Sequence, residues 1–209
     1  YLYSRAVTEL AQLGNLEAVQ SLATAANEMS IGEMRQLTSY DALQFSEQDY
    51  YQLIAAKTAS LMGAACEIGA LAGVVEYRKP LKAFGTNLGM AFQIADDLLD
   101  YTSSQAVTGK PSGHDLREHK VTLPLVEAMR HATPAEMTEI RALFDEPQPS
   151  DARIRDVVEI VHDRGGLEYA RRRAIEFGEA ADAELRDLAP GPALDVLREC
   201  VTYAIDRSN

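Results

Sequence analysis

The chain has 209 residues, of which 46% are hydrophobic, and a formal net charge of −12. This length can bury one sizeable core, while the acidic balance disfavours a nucleic-acid surface, which needs a basic patch. Two cysteines exclude a disulfide framework, and neither a signal peptide nor an apolar run of transmembrane length is present, so a cytoplasmic domain is expected.

Helical patterns occupy most of the first half of the chain. Residues 1–13 and 16–37 carry apolar residues at helical spacing, separated by a turn at Gly14 and Asn15. Ser46 is typical of an N-cap and predicts a long helix over residues 47–75. Pro80 suits the first turn of the next helix, which continues to residue 101.

The helical pattern fails over residues 102–120 and then returns. The glycines and proline of residues 109–113 indicate a loop that is either functional or disordered. Helices are predicted over residues 121–131, after the capping box at Thr133, after Ser150 and over residues 167–188 and 192–205. No convincing β-strand pattern occurs. The linker over residues 145–150 is too short to separate domains, so one all-α domain over residues 1–209 is expected.

The most informative stretch is residues 92–101, FQIADDLLDY, called here the acidic segment. On an α-helix, Gln93, Asp96, Asp97 and Asp100 share a stripe about 100° wide. Like charges at this spacing repel one another, so a packed helix that carries them often holds a cation. Oxygen-only ligands suit Mg²⁺, which commonly shares its coordination with phosphates. The alternative is a solvated acidic face, and the residues alone do not decide between the two.

Basic residues accompany the acidic segment. Lys110 and Lys120 follow it within about twenty residues, together with a fourth carboxylate, Asp115. Lysines beside metal-binding carboxylates could form a diphosphate site. Lys57 and Thr58 lie in an apolar part of the long predicted helix. Taken singly, Lys57 is also compatible with a surface lysine whose stem covers apolar neighbours, and Lys110 and Lys120 with solvated loop charges.

Together these motifs resemble those of the trans-isoprenyl diphosphate synthases. FQIADDLLDYTSSQAVTGKPSGHDLREHKVTLPL is similar to the second aspartate-rich motif and the following lysine loop of that family. YLYSRA, residues 30–37, YYQLIAAKTASLMGAACEIGAL and YAIDRSN extend the similarity along the chain. The resemblance implies a helical bundle around a central cavity, of which the N-terminal helices are missing and about two-thirds is present. It also implies a homodimer.

The resemblance also implies roles for individual residues. The metal ligands would be Asp96, Asp97 and Asp100, binding Mg²⁺ on the diphosphate of an allylic substrate. The diphosphate-binding residues would be Lys57, Lys110, Lys120 and Gln93. The residues nearest the chemistry would be Lys57, Thr58, Gln93 and Asp96. Asp115 would hold Lys110 or a metal-bound water.

The implied reaction is chain elongation. The allylic diphosphate ionises with the help of Mg²⁺, and the double bond of isopentenyl diphosphate attacks the carbocation. A proton is then lost to the departing diphosphate, leaving a longer all-trans polyprenyl diphosphate. Such chemistry requires stabilisation of the leaving group and a dry apolar tunnel.

The sequence departs from the family pattern in two ways. The first aspartate-rich motif and the Arg-Arg pair after it are absent, and residue 1 is already in helical register without a Met. We therefore expect residue 1 to be internal to a longer protein, and the chain to be inactive alone. In addition, His119 stands where the family more often has Gly.

Two alternative functions remain open. A non-catalytic subunit of a heteromeric prenyl synthase would explain a missing first motif, although such a subunit has no need for three crowded carboxylates. A terpene cyclase shares the helical architecture and the ionisation chemistry, although the lysine loop favours elongation.

Overall fold

The computed structural model describes residues 1–38, 42–102 and 113–206. All regular secondary structure in these ranges is helical, without a β-strand, which confirms the all-α prediction. The first five α-helices are α1 (Leu2–Gln12), α2 (Leu16–Thr38), α3 (Glu47–Ile54), α4 (Ser60–Ala72) and α5 (Arg78–Thr102). The remaining six are α6 (His114–Arg117), α7 (Leu123–His131), α8 (Pro134–Asp145), α9 (Asp151–Asp163), α10 (Gly166–Glu184) and α11 (Pro192–Asp206).

Local signals placed several helix starts correctly. Ser46 and Thr133 both form capping boxes, in which the Ser46 and Thr133 side chains accept the backbone N–H of Asp49 and Glu136. The carboxylates of Asp49 and Glu136 accept N–H groups in return. Each box satisfies backbone donors that a helix start otherwise leaves unpaired.

The long helix predicted over residues 47–75 is interrupted. Its α-helical hydrogen bonding gives way to a π-helical segment, Ala55–Ala59, between α3 and α4. A π-helical turn inside an α-helix is uncommon and frequently lies at a functional site. Lys57 and Thr58 lie in this segment.

Helix α5 lies at the centre of the fold and packs against α4 and α10. Two of its glycines permit close contact with the preceding helical stretch. A Cβ at Gly89 would lie 2.6 Å from the Cα of Ala59, and one at Gly85 would lie 2.5 Å from the carbonyl oxygen of Met62. The two helices therefore approach backbone to backbone. This packing brings the π-helical segment beside the acidic segment on α5.

Three clusters of buried apolar side chains surround this arrangement. One joins the end of α5 to α7, α8 and α9; a second joins α3, α5 and α10; and a third joins α5, α10 and α11. Helix α1, in contrast, buries none of its residues. Leu2 and the flanking residues Tyr1 and Leu13 are large and apolar, and all three are exposed.

One helical stretch among the described residues, Glu47–Ala72, is long and apolar enough to cross a membrane. No such run was expected from the sequence, because Glu67 interrupts the apolar stretch. A core helix of a soluble protein meets the same criteria, and this stretch packs against α2 and α5. These criteria alone therefore do not identify a membrane span.

Candidate active site

A cleft of about 140 Å³ lies where the π-helical segment, α5 and the chain before α7 meet. Six of the predicted site residues line it: Lys57, Thr58, Gln93, Asp97, Asp115 and Lys120. Residues separated by up to 63 positions in the sequence (57 to 120) are thus brought to one cavity. Lys110 lies outside the described residues, so its predicted role stays a prediction.

Lys57 is held by α2 rather than extending freely into solvent. Its Nζ lies 2.9 Å from Oε1 of Glu33 and donates a 2.7 Å hydrogen bond to Oε1 of Gln36. Gly32 makes this possible, because a Cβ there would lie only 3.0 Å from Cβ of Ala56 and 3.1 Å from Cγ of Lys57. The lysine stem therefore lies against α2 with its ammonium group at the cleft.

A chain of hydrogen bonds crosses the floor of the cleft. Thr58 Oγ1 donates to Oε1 of Gln93 at 2.7 Å, and Nε2 of Gln93 donates to Oδ1 of Asp97 at 2.9 Å. The hydroxyl of Tyr50 donates to Oδ2 of Asp97 at 2.6 Å. Asp97 is thus held on both oxygens by neutral donors.

The electrostatics of Asp97 are unusual for a carboxylate. Burial raises its pKa to about 7, against hydrogen bonds from Tyr50 and Gln93 that lower it; the nearby charges of Asp115 and Asp96 raise it further. Burial disfavours the charged form, and neighbouring anions add to this effect. A cation at this place would relieve both.

Asp100 has a different environment from Asp97. Its Oδ1 accepts the backbone N–H of His114 at 3.0 Å, and its Oδ2 accepts that of Asp115 at 2.9 Å. The N–H of Gly113 also donates to the backbone carbonyl of Asp100, at 2.9 Å. These bonds begin α6, a helix in a stretch predicted to be loop; the prediction of irregular structure was wrong for these four residues.

The three predicted metal ligands therefore differ in their surroundings. Asp96 is exposed, Asp97 is buried and Asp100 is half-buried against residues 113–115. Among the residues that the structure describes, no group of three or more His, Cys, Asp or Glu side chains has the arrangement of a metal site. The ligand set of Asp96, Asp97 and Asp100 stays a prediction.

The donor chemistry nevertheless fits a hard divalent cation. All the acidic groups near the cleft offer oxygen, the ligand type that Mg²⁺ and Ca²⁺ prefer. Asp97 is buried, no basic side chain contacts it among the described residues, and its two hydrogen bonds leave lone pairs available on both oxygens. Asp97 is thus suited to hold such an ion together with ligands from a substrate.

Lys120 and Asp115 complete the cleft. Lys120 Nζ lies 3.6 Å from Oδ1 of Asp115 and 2.5 Å from Oε2 of Glu118. Burial and the charge of Asp100 raise the pKa of Asp115, while Lys120 and His114 lower it. Asp115 was predicted to hold Lys110 or a metal-bound water; among described residues, its lysine contact is Lys120.

Tyr50 and Gln36 were missed as site residues by sequence reasoning. Tyr50 is only 1% exposed and lies inside the chain's own core. Its position seven residues before Lys57, two helical turns, was the available signal. Gln36 gives no comparable signal, because its partner lies on a different helix.

The family comparison agrees with this geometry. The sequence model of the polyprenyl synthetase family matches residues 1–161. The chain is 36% identical over 209 residues to octaprenyl diphosphate synthase of Escherichia coli K12, covering 99% of this chain and 64% of that protein. It is 36% identical over 208 residues to a Rhodobacter capsulatus all-trans-nonaprenyl-diphosphate synthase described as geranyl-diphosphate specific, covering 99% of this chain and 63% of that one.

Solved structures show the same relationship. A polyprenyl synthase from Caulobacter crescentus CB15, complexed with calcium and isoprenyl diphosphate, superposes with a TM-score of 0.91 at 33% identity. The match covers 99% of this chain and 63% of that one. The chain thus spans slightly less than two-thirds of the length of these relatives. Sequence and fold agree that the chain belongs to the polyprenyl synthetase family.

Proposed function

We propose that this chain carries one half of the active site of an all-trans polyprenyl diphosphate synthase. The enzyme joins isopentenyl diphosphate to an allylic prenyl diphosphate and releases inorganic diphosphate. The observation that supports this proposal is the cleft itself, where Lys57 and Lys120 share a cavity with Asp97, Asp115 and Gln93. Paired cations and carboxylates around one cavity suit a metal-bound diphosphate.

The lysines provide most of the binding of the diphosphate. Lys57 is oriented by Glu33 and Gln36, and Lys120 by Asp115 and Glu118, so both ammonium groups are placed before the substrate arrives. Charges that are already in position stabilise the negative charge that develops on the diphosphate as it leaves. Mg²⁺, when bound by Asp96 and Asp97, would supply further neutralisation of the diphosphate oxygens.

The remaining cleft residues orient the reacting end and exclude water. Thr58 and Gln93 are fixed to each other and to Asp97, so two polar groups would lie beside a diphosphate bound in the cleft. Leu53, Ile54 and Val121 provide apolar walls. As the allylic C–O bond breaks, the double bond of isopentenyl diphosphate forms the new C–C bond, and a proton leaves with the diphosphate.

The assembly proposed is a cytoplasmic homodimer. Helix α1 supports this proposal because Tyr1, Leu2 and Leu13 are exposed while no residue of the helix is buried. Large exposed apolar side chains are available there for contact with a second copy of the chain. Sedimentation equilibrium of the protein would give the mass directly.

Elongation can be tested by supplying an allylic diphosphate, radiolabelled isopentenyl diphosphate and Mg²⁺ to the purified chain and to any longer natural protein that contains it. Labelled all-trans polyprenyl products are expected from a protein that also carries the other half of the site. A cyclic terpene without elongation would favour a cyclase, and the absence of product from every form would favour a non-catalytic subunit.

A matched pair of lysine variants locates the activity. Lys57→Met should lower kcat/KM by about 100-fold, because one preorganised charge on the diphosphate is lost. Lys79→Met removes the same charge from an exposed site that does not line the cleft. Equal losses in both variants would contradict the placement of the site.

A further inference from the structure

His119 has the least favourable backbone geometry near the cleft. Its φ is 54°, and among the described residues it is the only non-glycine residue with a positive φ. The left-handed region is disfavoured for residues with a Cβ, so a non-glycine residue there needs compensating contacts. Its position immediately before Lys120 makes this geometry relevant to the cleft.

Two side-chain contacts hold the ring of His119. Nε2 lies 2.8 Å from the carbonyl oxygen of Glu146, an oxygen that can only accept, so this nitrogen carries the proton and donates. The ring also packs against the ring of Phe144, with centroids 5.7 Å apart and planes at 51°. Both partners belong to the end of α8 and the residue after it. His119 therefore ties the chain before α7 to a helix outside the cleft.

The same stretch is tied at its other end. The carboxylate of Asp100 accepts the N–H groups of His114 and Asp115. Between the two ties, the N–H of His119 donates to the carbonyl of Leu116 at 3.1 Å, and that of Lys120 donates to the carbonyl of Asp115 at 2.8 Å. The backbone of residues 113–120 is consequently fixed from both sides.

Lys120 depends on this support because burial does not hold it. Its side chain is 41% exposed, and its carboxylate partners Asp115 and Glu118 are 18% and 45% exposed. An exposed ion pair alone contributes little rigidity. The position of the Lys120 ammonium group at the cleft therefore depends on the backbone of residues 113–120, which carries both the lysine and its two carboxylate partners.

We infer that His119 is a positioning residue that preorganises Lys120 for binding a metal-bound diphosphate. The inference rests on the proposed function, in which Lys120 contacts that group. Fixing a binding residue before the ligand arrives reduces the ordering that binding must impose. The strained conformation of His119 is retained because the ring contacts hold the turn in this shape.

The His119→Gly substitution removes the side-chain contacts of His119 without adding backbone strain. Glycine adopts the left-handed conformation readily, so the fold is expected to survive, but the contacts to Glu146 and Phe144 are lost. Calorimetric titration with inorganic diphosphate in the presence of Mg²⁺ should show about tenfold weaker binding than the parent, the size expected for freeing one long side chain. His162→Ala, at an exposed histidine on α9, should bind as the parent does.

A double-mutant cycle distinguishes positioning from a general structural role. If His119 acts through Lys120, then His119→Gly combined with Lys120→Ala should bind no more weakly than Lys120→Ala alone. A further full loss in the double variant would overturn the inference, as would parental affinity in His119→Gly.

Amide hydrogen exchange gives a readout that needs no ligand. Residues 113–120 should exchange faster in His119→Gly than in the parent while α9 stays unchanged. Unchanged exchange over residues 113–120 would overturn the anchoring itself. If the parent fails to bind diphosphate, the proposed function fails and the inference with it; parental binding without a His119 effect overturns only the inference.

Discussion

Two buried carboxylates, Asp97 and Glu67, have opposite electrostatic surroundings in this fold. Asp97 is 7% exposed and Glu67 is 4% exposed, so both carboxylates have lost most of their hydration. The pKa of Asp97 is raised to about 7, whereas that of Glu67 is lowered to about 2. Burial alone therefore does not determine how a carboxylate behaves; its partners do.

The partners of Glu67 are mostly cations. Burial alone would raise the pKa of Glu67, but hydrogen bonds from Lys82, Ser21 and Arg78 outweigh it. Arg78 Nε donates to Oε1 at 2.8 Å, Lys82 Nζ lies 2.8 Å from Oε2, and Ser21 Oγ donates to Oε2 at 2.7 Å. The network joins α2, α4 and α5, and the cations that balance the charge of Glu67 belong to the chain itself.

Asp97 has no such partner among the contacts described around it. Its hydrogen-bond donors, Tyr50 and Gln93, are neutral, and the charges that perturb it belong to Asp115 and Asp96. A buried carboxylate in this situation gains from a cation supplied by a ligand. The comparison separates a carboxylate that stabilises the fold from one that is suited to binding.

The largest effect is expected at Glu67. Glu67→Gln should lower the free energy of unfolding at pH 7 by about 3 kcal/mol, because Arg78 and Lys82 lose their shared carboxylate. Urea denaturation measures this change. Glu76→Gln, at an exposed glutamate, should change stability little. Equal stability of Glu67→Gln and the parent at pH 7 would show that the network contributes nothing.

The pH dependence at Glu67 has a defined sign. Its folded pKa lies below its ordinary value of 4.5, so its stabilising contribution is complete above that value and is lost as the pH falls towards about 2. The difference between the parent and Glu67→Gln should therefore shrink below about pH 4.

Asp97 should show the opposite behaviour. Its folded pKa of about 7 exceeds its ordinary value of 3.8, so without metal the parent loses stability as the pH rises between these values. Asp97→Asn removes that loss and should raise the free energy of unfolding by about 2 kcal/mol at pH 8, after allowing for imperfect hydrogen bonds. The gain should disappear at pH 4.

Urea denaturation at both pH values, without divalent cations, tests this prediction. Asp156→Asn, at an exposed aspartate on α9, provides the control for removing one negative charge. A variant less stable than the parent at pH 8 would mean that the carboxylate of Asp97 stabilises the fold as Glu67 does.

A smaller effect is expected for Tyr50→Phe. The change deletes the 2.6 Å hydrogen bond to Asp97 while keeping the ring in the core. At pH 8 the loss should be about 1.5 kcal/mol, since the bond is made to a carboxylate. Tyr3→Phe, at a tyrosine that is 58% exposed, is the matched control. Identical unfolding curves for Tyr50→Phe and the parent would show that the bond has no net value.

Sequence reasoning succeeded where the signal was local. The capping box predicted at Thr133 and the N-cap predicted at Ser46 depend on residues a few positions apart, and both are confirmed. The structure also brings the predicted residues Lys57, Gln93 and Asp97 to one cleft, while their roles stay predictions.

It failed where distant residues determine the geometry. Helix α6 begins because Asp100 accepts two N–H groups from the chain 14 and 15 residues later. The π-helical segment interrupts a sequence with a continuous helical pattern, and close packing against Gly89 is a property of the assembled pair of helices. Neither the π-helical segment nor the packing against Gly89 leaves a periodic signal in the sequence.

The smallest change in stability, and the largest in activity, is expected at Asp96. Asp96 is exposed and its charge raises the pKa of Asp97, so Asp96→Ala should leave the metal-free melting temperature unchanged or slightly higher. Turnover of a complete enzyme should be abolished if Asp96 is a metal ligand, because the diphosphate then loses the charge neutralisation that a bound cation would supply. A variant that melts markedly lower would place Asp96 with Glu67, as a carboxylate that stabilises the fold. Full activity with unchanged stability would mean that Asp97 holds the cation without help from Asp96.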